Sequence, residues 1–140
     1  MRKIIVACFL IISGLSLNAA ARTEIVSVLE AVRIKNDKRA EALYFYEKNW
    51  KALREEALKK GYIHSFELIE VVAGERNGFD LILITRYENR TQFDKSEENF
   101  QALIKQQGSL KLLNDLKPGD FRESVFSITG KSAIIENRNW

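Results

Sequence analysis

Apolar and polar positions along the chain change period several times, and each change marks an element. Ile25 to Lys35 is rich in Val, Ile and Leu, with Ser27, Glu30 and Arg33 interspersed, and predicts a strand. Asn36-Asp37 then offers an N-cap, because short side-chain oxygens accept from the free amides of a first turn. From Lys38 to Lys60 the period becomes helical. Ala42, Tyr46, Trp50, Leu53 and Ala57 recur at spacings of four, four, three and four, which places them on one face. Lys59 and Lys60 suit a helix C-terminus, and Gly61 suits the residue just beyond it.

Tyr62 to Val72 predicts a second strand, and Phe79 to Tyr87 a third with Leu81, Ile82, Leu83 and Ile84 in succession. Gly74 to Gly78 between them has turn composition, which makes the pair a hairpin. Thr91-Gln92-Phe93-Asp94 looks like a capping box, and Phe93, Phe100, Leu103 and Ile104 share a helical face up to Gly108. Ser109 to Leu116 reads as a short amphipathic piece ending at Lys117-Pro118-Gly119. A last strand is expected from Glu123 to Thr129, resuming at Ser132 to Ile135, with a loose tail from Asn137 to Trp140.

The N-terminus is different in kind. Met1-Arg2-Lys3 precedes an apolar run from Ile4 to Leu17, and Ala19-Ala20-Ala21 follows. A basic start, a short apolar stretch and an Ala-x-Ala exit describe a secretory signal peptide over residues 1–21, leaving 22–140 as one domain. A membrane-spanning helix needs roughly 20 apolar residues, and no later segment approaches that. The expected location is therefore periplasmic or secreted. The whole chain carries 22 Lys and Arg against 19 Asp and Glu, but without Arg2 and Lys3 the balance becomes 20 to 19. That near-neutral balance gives no footprint for nucleic acid. The single cysteine, Cys8, would leave with the leader, taking disulfide, thiol and cysteine-ligand chemistry with it.

The order strand–helix–strand–strand–helix–strand predicts an α+β, ferredoxin-like βαββαβ fold, with two helices on one face of a four-stranded antiparallel sheet. In an antiparallel sheet with one wet face, apolar and polar residues should alternate. Here Leu81 and Leu83 point one way while Ile82 and Ile84 point the other. Val26 and Val28 likewise oppose Ile25, Leu29 and Ala31. Both faces want cover and the helices can supply only one, so a second copy is the simplest source of the other.

With this element order, the long first helix ending at Lys59-Lys60-Gly61 and the hairpin leading to Ile84-Thr85-Arg86-Tyr87-Glu88-Asn89, the chain resembles the dimeric α/β-barrel superfamily. Antibiotic-biosynthesis monooxygenase-like and stress-responsive barrel proteins belong to that group. The resemblance implies two sheets closing face to face into a homodimeric barrel, with small aromatic or polyketide-like molecules held between sheet and helices. It does not fix an activity, since members range from cofactor-independent oxygenases to proteins without known reactions.

Candidate chemistry is sparse. His64, the only histidine, is a candidate general base or ligand-binding residue because it titrates near neutrality. With no second His and no Cys in the mature chain, no metal site is expected. Glu30, Glu67 and Glu70 lie within strands, where Arg33 or Arg86 could pair with them, and the face each occupies is open. Trp50 and Tyr46 could line a cavity between helix and sheet. The sequence contains no GxGxxG, GxxxxGK[ST] or GxSxG pattern. The expectation is an exported homodimer that binds a small, largely apolar molecule without a tightly held cofactor, with His64, Trp50, Tyr46, Glu30 and Arg86 as candidate site residues. The alternatives are a monooxygenase-like enzyme using His64, and an envelope protein-interaction module.

Overall fold

Val26–Ile34 (β1) lies at the centre of a sheet because it can pair on both edges. It runs antiparallel to Leu81–Tyr87 (β3) on one side and to Arg122–Lys131 (β4) on the other. Ser65–Glu70 (β2) adds to the free edge of β3, giving the order β2-β3-β1-β4. The computed structural model describes residues 24–72 and 78–133. The leader, the Gly74–Asn77 part of the turn, the Ile134-Ile135 extension and the C-terminal tail therefore lie outside the described residues.

One long helix follows β1 in three segments: Arg39–Phe45 (α1), a π-helical stretch Tyr46–Lys51, and Ala52–Lys59 (α2). The wider π turn brings Phe45, Tyr46, Asn49 and Trp50 all to the buried side. The helix closes as the sequence predicts. Gly61, at φ 68°, donates to Leu58 O at 3.0 Å, and Tyr62 donates to Ala57 O at 2.8 Å. This is a Schellman closure that needs a left-handed residue at position 61. After β3 come Arg90–Asp94 (α3) and Ser96–Gln107 (α4), and the single turn Pro118–Phe121 (α5) leads into β4.

Three local expectations are corrected. Asn36 and Asp37 do not cap the helix but form a left-handed turn, at φ 54° and 55°. Asn36 Nδ2 donates instead to Asp120 O at 2.9 Å, and Lys38 occupies the cap without a side-chain bond. The cap of the second helical region is Asn89, two residues before Thr91, and its Oδ1 accepts the Gln92 N–H at 2.8 Å. Ser109 to Leu116 is irregular, since Gly108 at φ 79° ends α4 and Asn49 then holds the next backbone.

The helices cover the face carrying Val26, Val28, Glu30 and Val32 of β1 and Leu81, Leu83, Thr85 and Tyr87 of β3. Two apolar clusters fill this layer. One gathers Val32, Phe45, Tyr46, Trp50, Leu81, Leu83 and Phe121, and the other Val26, Ala57, Ile63, Tyr87 and Leu103. The opposite face presents Leu29, Ala31, Ile82 and Ile84, flanked by Ile69, Phe126 and Ile128, which are 37%, 41% and 56% exposed. Both faces of the central strands are thus apolar. Among the described residues, no helix is long and apolar enough to cross a membrane.

Candidate ligand-binding site

The π-helical stretch and β2 do not pack flush. A cleft of about 480 Å³ separates them, walled by Leu43, Tyr46, Trp50, Phe66 and Leu68, with Glu47, Lys51, Glu67 and Glu70 at its mouth. Trp50 and Phe66 meet edge to face at 5.7 Å, which fixes both rings as walls. The mouth charges are held by neighbours. Glu67 pairs with Arg86 at 3.2 Å, Glu70 pairs with Arg39, and Lys51 lies 3.5 Å from Glu55. The cavity is therefore apolar within and charge-balanced at its rim, which suits a small apolar molecule.

A second, polar group lies within the helix–sheet layer. Glu30 projects from the middle of β1 toward the helices, where Arg122 Nη1 stands 4.0 Å from its Oε1. The Arg122 guanidinium lies over the rings of Phe45 and Tyr46, at 5.1 and 5.7 Å. Arg54 is sandwiched between Trp50 and Phe100, at 4.8 and 4.5 Å, and its Nε reaches Thr85 Oγ1 at 3.5 Å, the outer limit of a hydrogen bond. Burial pushes the Arg54 guanidinium down to about 10, against the opposing pull of Tyr87 and Glu30. Tyr46 is 2% exposed. Burial drives its phenol up to about 12, with Arg122 working against the shift and Glu30 adding to it. Neither Tyr46 Oη nor Arg122 Nε has a hydrogen-bond partner among the described residues, and both are sealed from solvent.

Of the residues singled out from sequence, Tyr46 and Trp50 share the cleft, and Glu30 stands close to Tyr46 beneath the helix. Arg86 is on the other face of the sheet, paired with Glu67. His64 is exposed just before β2, where its backbone N–H donates to Arg86 O at 2.8 Å, and it lines neither group. Arg33, considered as a partner for Glu30, instead binds Glu123 at 2.6 Å. Arg54, Arg122 and Asn49 were missed. Arg54 carried a signal, since it continues the four-residue spacing of Tyr46 and Trp50 as a charge on the apolar stripe. Among the described residues, no group of three or more His, Cys, Asp or Glu gathers as a metal site.

A four-stranded β2-β3-β1-β4 sheet with its helices on one face is the ferredoxin-like fold. HapK from Hahella chejuensis matches at a TM-score of 0.52 and 13% identity, covering 82% of this chain and 99% of that one. A dimeric protein of unknown function and ferredoxin-like fold from Bacteroides fragilis matches at a TM-score of 0.48 and 11% identity, covering 79% and 96% of the two chains. A putative chlorite dismutase matches at 0.45 and 16% identity over 78% of this chain, which spans 44% of that protein. At such identities the likeness is one of fold. No protein-family model and no curated protein matches the sequence.

Proposed function

We propose that this chain is an exported homodimer that holds a small, largely apolar molecule in the cleft between its long helix and β2. The observation that carries the reading is the cleft itself: about 480 Å³ walled by Tyr46, Trp50 and Phe66, with no unpaired charge inside. The leader pattern of residues 1–21 supports export, and the exposed Ile69, Phe126 and Ile128 on the apolar second face of the sheet support pairing with a second copy. The enzyme alternative draws nothing from His64, which is exposed and outside the cleft.

Native mass spectrometry of the mature protein, purified gently from its export compartment, tests the reading. Two subunit masses plus a small increment are expected, with the increment lost in Trp50→Ala. A bare monomer would overturn the dimer. A bare dimer that also fails to take up a neutral apolar dye, N-phenyl-1-naphthylamine, would overturn the ligand.

A further inference from the structure

The cleft is open on one side, and the residues around it say which. Leu68 turns its side chain toward the helices and Glu67 toward the opposite face of the sheet, yet both border the cleft. One cavity touches both only by reaching round the edge of β2, beyond which no strand follows among the described residues. The backbone of that edge is also unfinished. Val71 N–H donates to Asp80 O, directly opposite it, at 2.9 Å. Alternation then turns the backbone of Glu67 and Ile69 toward β3, and that of Phe66, Leu68 and Glu70 outward. All three outward residues line the cleft.

β4 is the other free edge. Ser132 N–H donates to Ile25 O at 2.9 Å, so the backbone of Ser127, Thr129 and Lys131 turns outward. Ser127 and Thr129 stand on the helix side, opposite Glu30 and Val28, yet Ser124 to Lys131 are exposed throughout. β2 and β4 run in opposite directions. A twofold axis along the strands, with the apolar sheet faces together, therefore sets β2 of each copy antiparallel to β4 of the other. That pairing leaves no edge open. The 10 residues of β4 are long enough to span the 6 of β2.

From this geometry we infer that the cleft is a two-chain site: β4 of a second copy lies along β2 and closes its open side, with Ser127 and Thr129 of the partner subunit at the mouth. The inference rests on both halves of the proposed function, the cleft and the pairing, and adds that each completes the other. A single chain holds an open trough, so ligand uptake and dimerisation strengthen one another. Within one chain β3 and β1 separate β2 from β4, and three strand spacings amount to about 14 Å. Any effect of the β4 edge on the cleft is therefore exerted across the dimer.

Ser127→Trp and Thr129→Trp, made singly, test this with N-phenyl-1-naphthylamine as the probe. Both positions are exposed, so the single chain tolerates an indole there. At least one variant is expected to plug the neighbour's cleft and weaken dye binding about tenfold while the protein stays dimeric. Refolding that variant together with Trp50→Ala, itself defective, should restore uptake. In a mixed dimer, the chain that keeps Trp50 has its cleft closed by an unaltered β4. Random pairing then gives about a quarter of the wild-type sites.

Hydrogen exchange reads the closure without any change at β4. The amides of Phe66, Leu68 and Glu70 should be protected in the wild-type dimer and open once Ile128→Asp has made the chain monomeric. Those of Glu67 and Ile69, turned toward β3, should be protected in both. Full dye uptake in both Trp variants, no recovery on mixing, or fast exchange of the three outward amides in the dimer would each overturn the two-chain site. Dye uptake and sedimentation of the wild-type protein answer separately for the cleft and for the dimer.

Discussion

Asn49 and Lys111 are joined by two hydrogen bonds that tie the middle of the long helix to the irregular chain after α4. Asn49 Nδ2 donates to Lys111 O at 2.8 Å, and Asn49 Oδ1 accepts the Lys111 N–H at 2.8 Å. The second amide hydrogen goes to Phe45 O at 2.9 Å, one turn back in the same helix. A buried side chain here does for residues 109–116 what a neighbouring strand would otherwise do: it satisfies backbone that has no regular structure.

Replacing Asn49 by Ala strands these groups in a largely dry site. A loss of roughly 2–3 kcal/mol in urea denaturation is expected, because unmade buried hydrogen bonds carry their full desolvation penalty. The Lys111 amide should also lose protection from hydrogen exchange. Asn49→Asp keeps the acceptor but sets a carboxylate against two carbonyl oxygens. It should be at least as damaging at neutral pH and partly recover in acid, where the carboxyl can donate. Unchanged exchange at Lys111 in Asn49→Ala would show that the segment is held by Leu112 and Leu116 instead.

Tyr46 makes a separate prediction about alkaline stability. Its folded-state value, pushed up to about 12 by burial, lies above the unfolded value near 10. The stability tied to the neutral phenol is therefore complete below pH 10 and is lost as pH rises through 12. A shift of that size corresponds to roughly 2–3 kcal/mol. Spectrophotometric titration should find Tyr46 ionising late among the four tyrosines, and Tyr46→Phe should be less sensitive to pH between 10 and 12. Ionisation of all four tyrosines near pH 10 with the fold intact would contradict the burial.

The sequence was most readable where a single element carries its own signal. The stripe Ala42, Tyr46, Trp50, Ala57 and the left-handed Gly61 are local, and both appear in the structure. The double-sided apolar strands were also legible, because alternation is a property of the strand alone. The site was less so. Arg122 stands at the start of β4, and its approach to Glu30 exists only because β4 lies beside β1, a long-range pairing that no local pattern encodes. The side of the sheet taken by Glu30 depended on which parity the helices covered. The amphipathic pattern of Ser109 to Leu116 misled for a related reason. Leu112 and Leu116 do pack on the core while Leu110 and Leu113 stay exposed, and the Lys111 backbone bonds to Asn49 rather than along a helix.

The sheet face opposite the helices yields the last prediction. Ile128 sits on β4 opposite Leu29, is 56% exposed, and shares its face with Phe126, Ile82 and Ile84. Because its side chain is already half in water, an aspartate there should cost the single chain little. In a twofold pairing through this face it would bury two carboxylates, each unpaired and each expensive. Ile128→Asp is therefore expected to weaken dimerisation by at least about a hundredfold while leaving the far-ultraviolet circular dichroism unchanged. Thr129→Asp, one residue along and pointing to the opposite face, should leave the dimer intact. Sedimentation equilibrium at micromolar concentration distinguishes the two variants. If both sediment as dimers, the chains pair through some surface other than this face, and the apolar residues upon it must be covered by another partner.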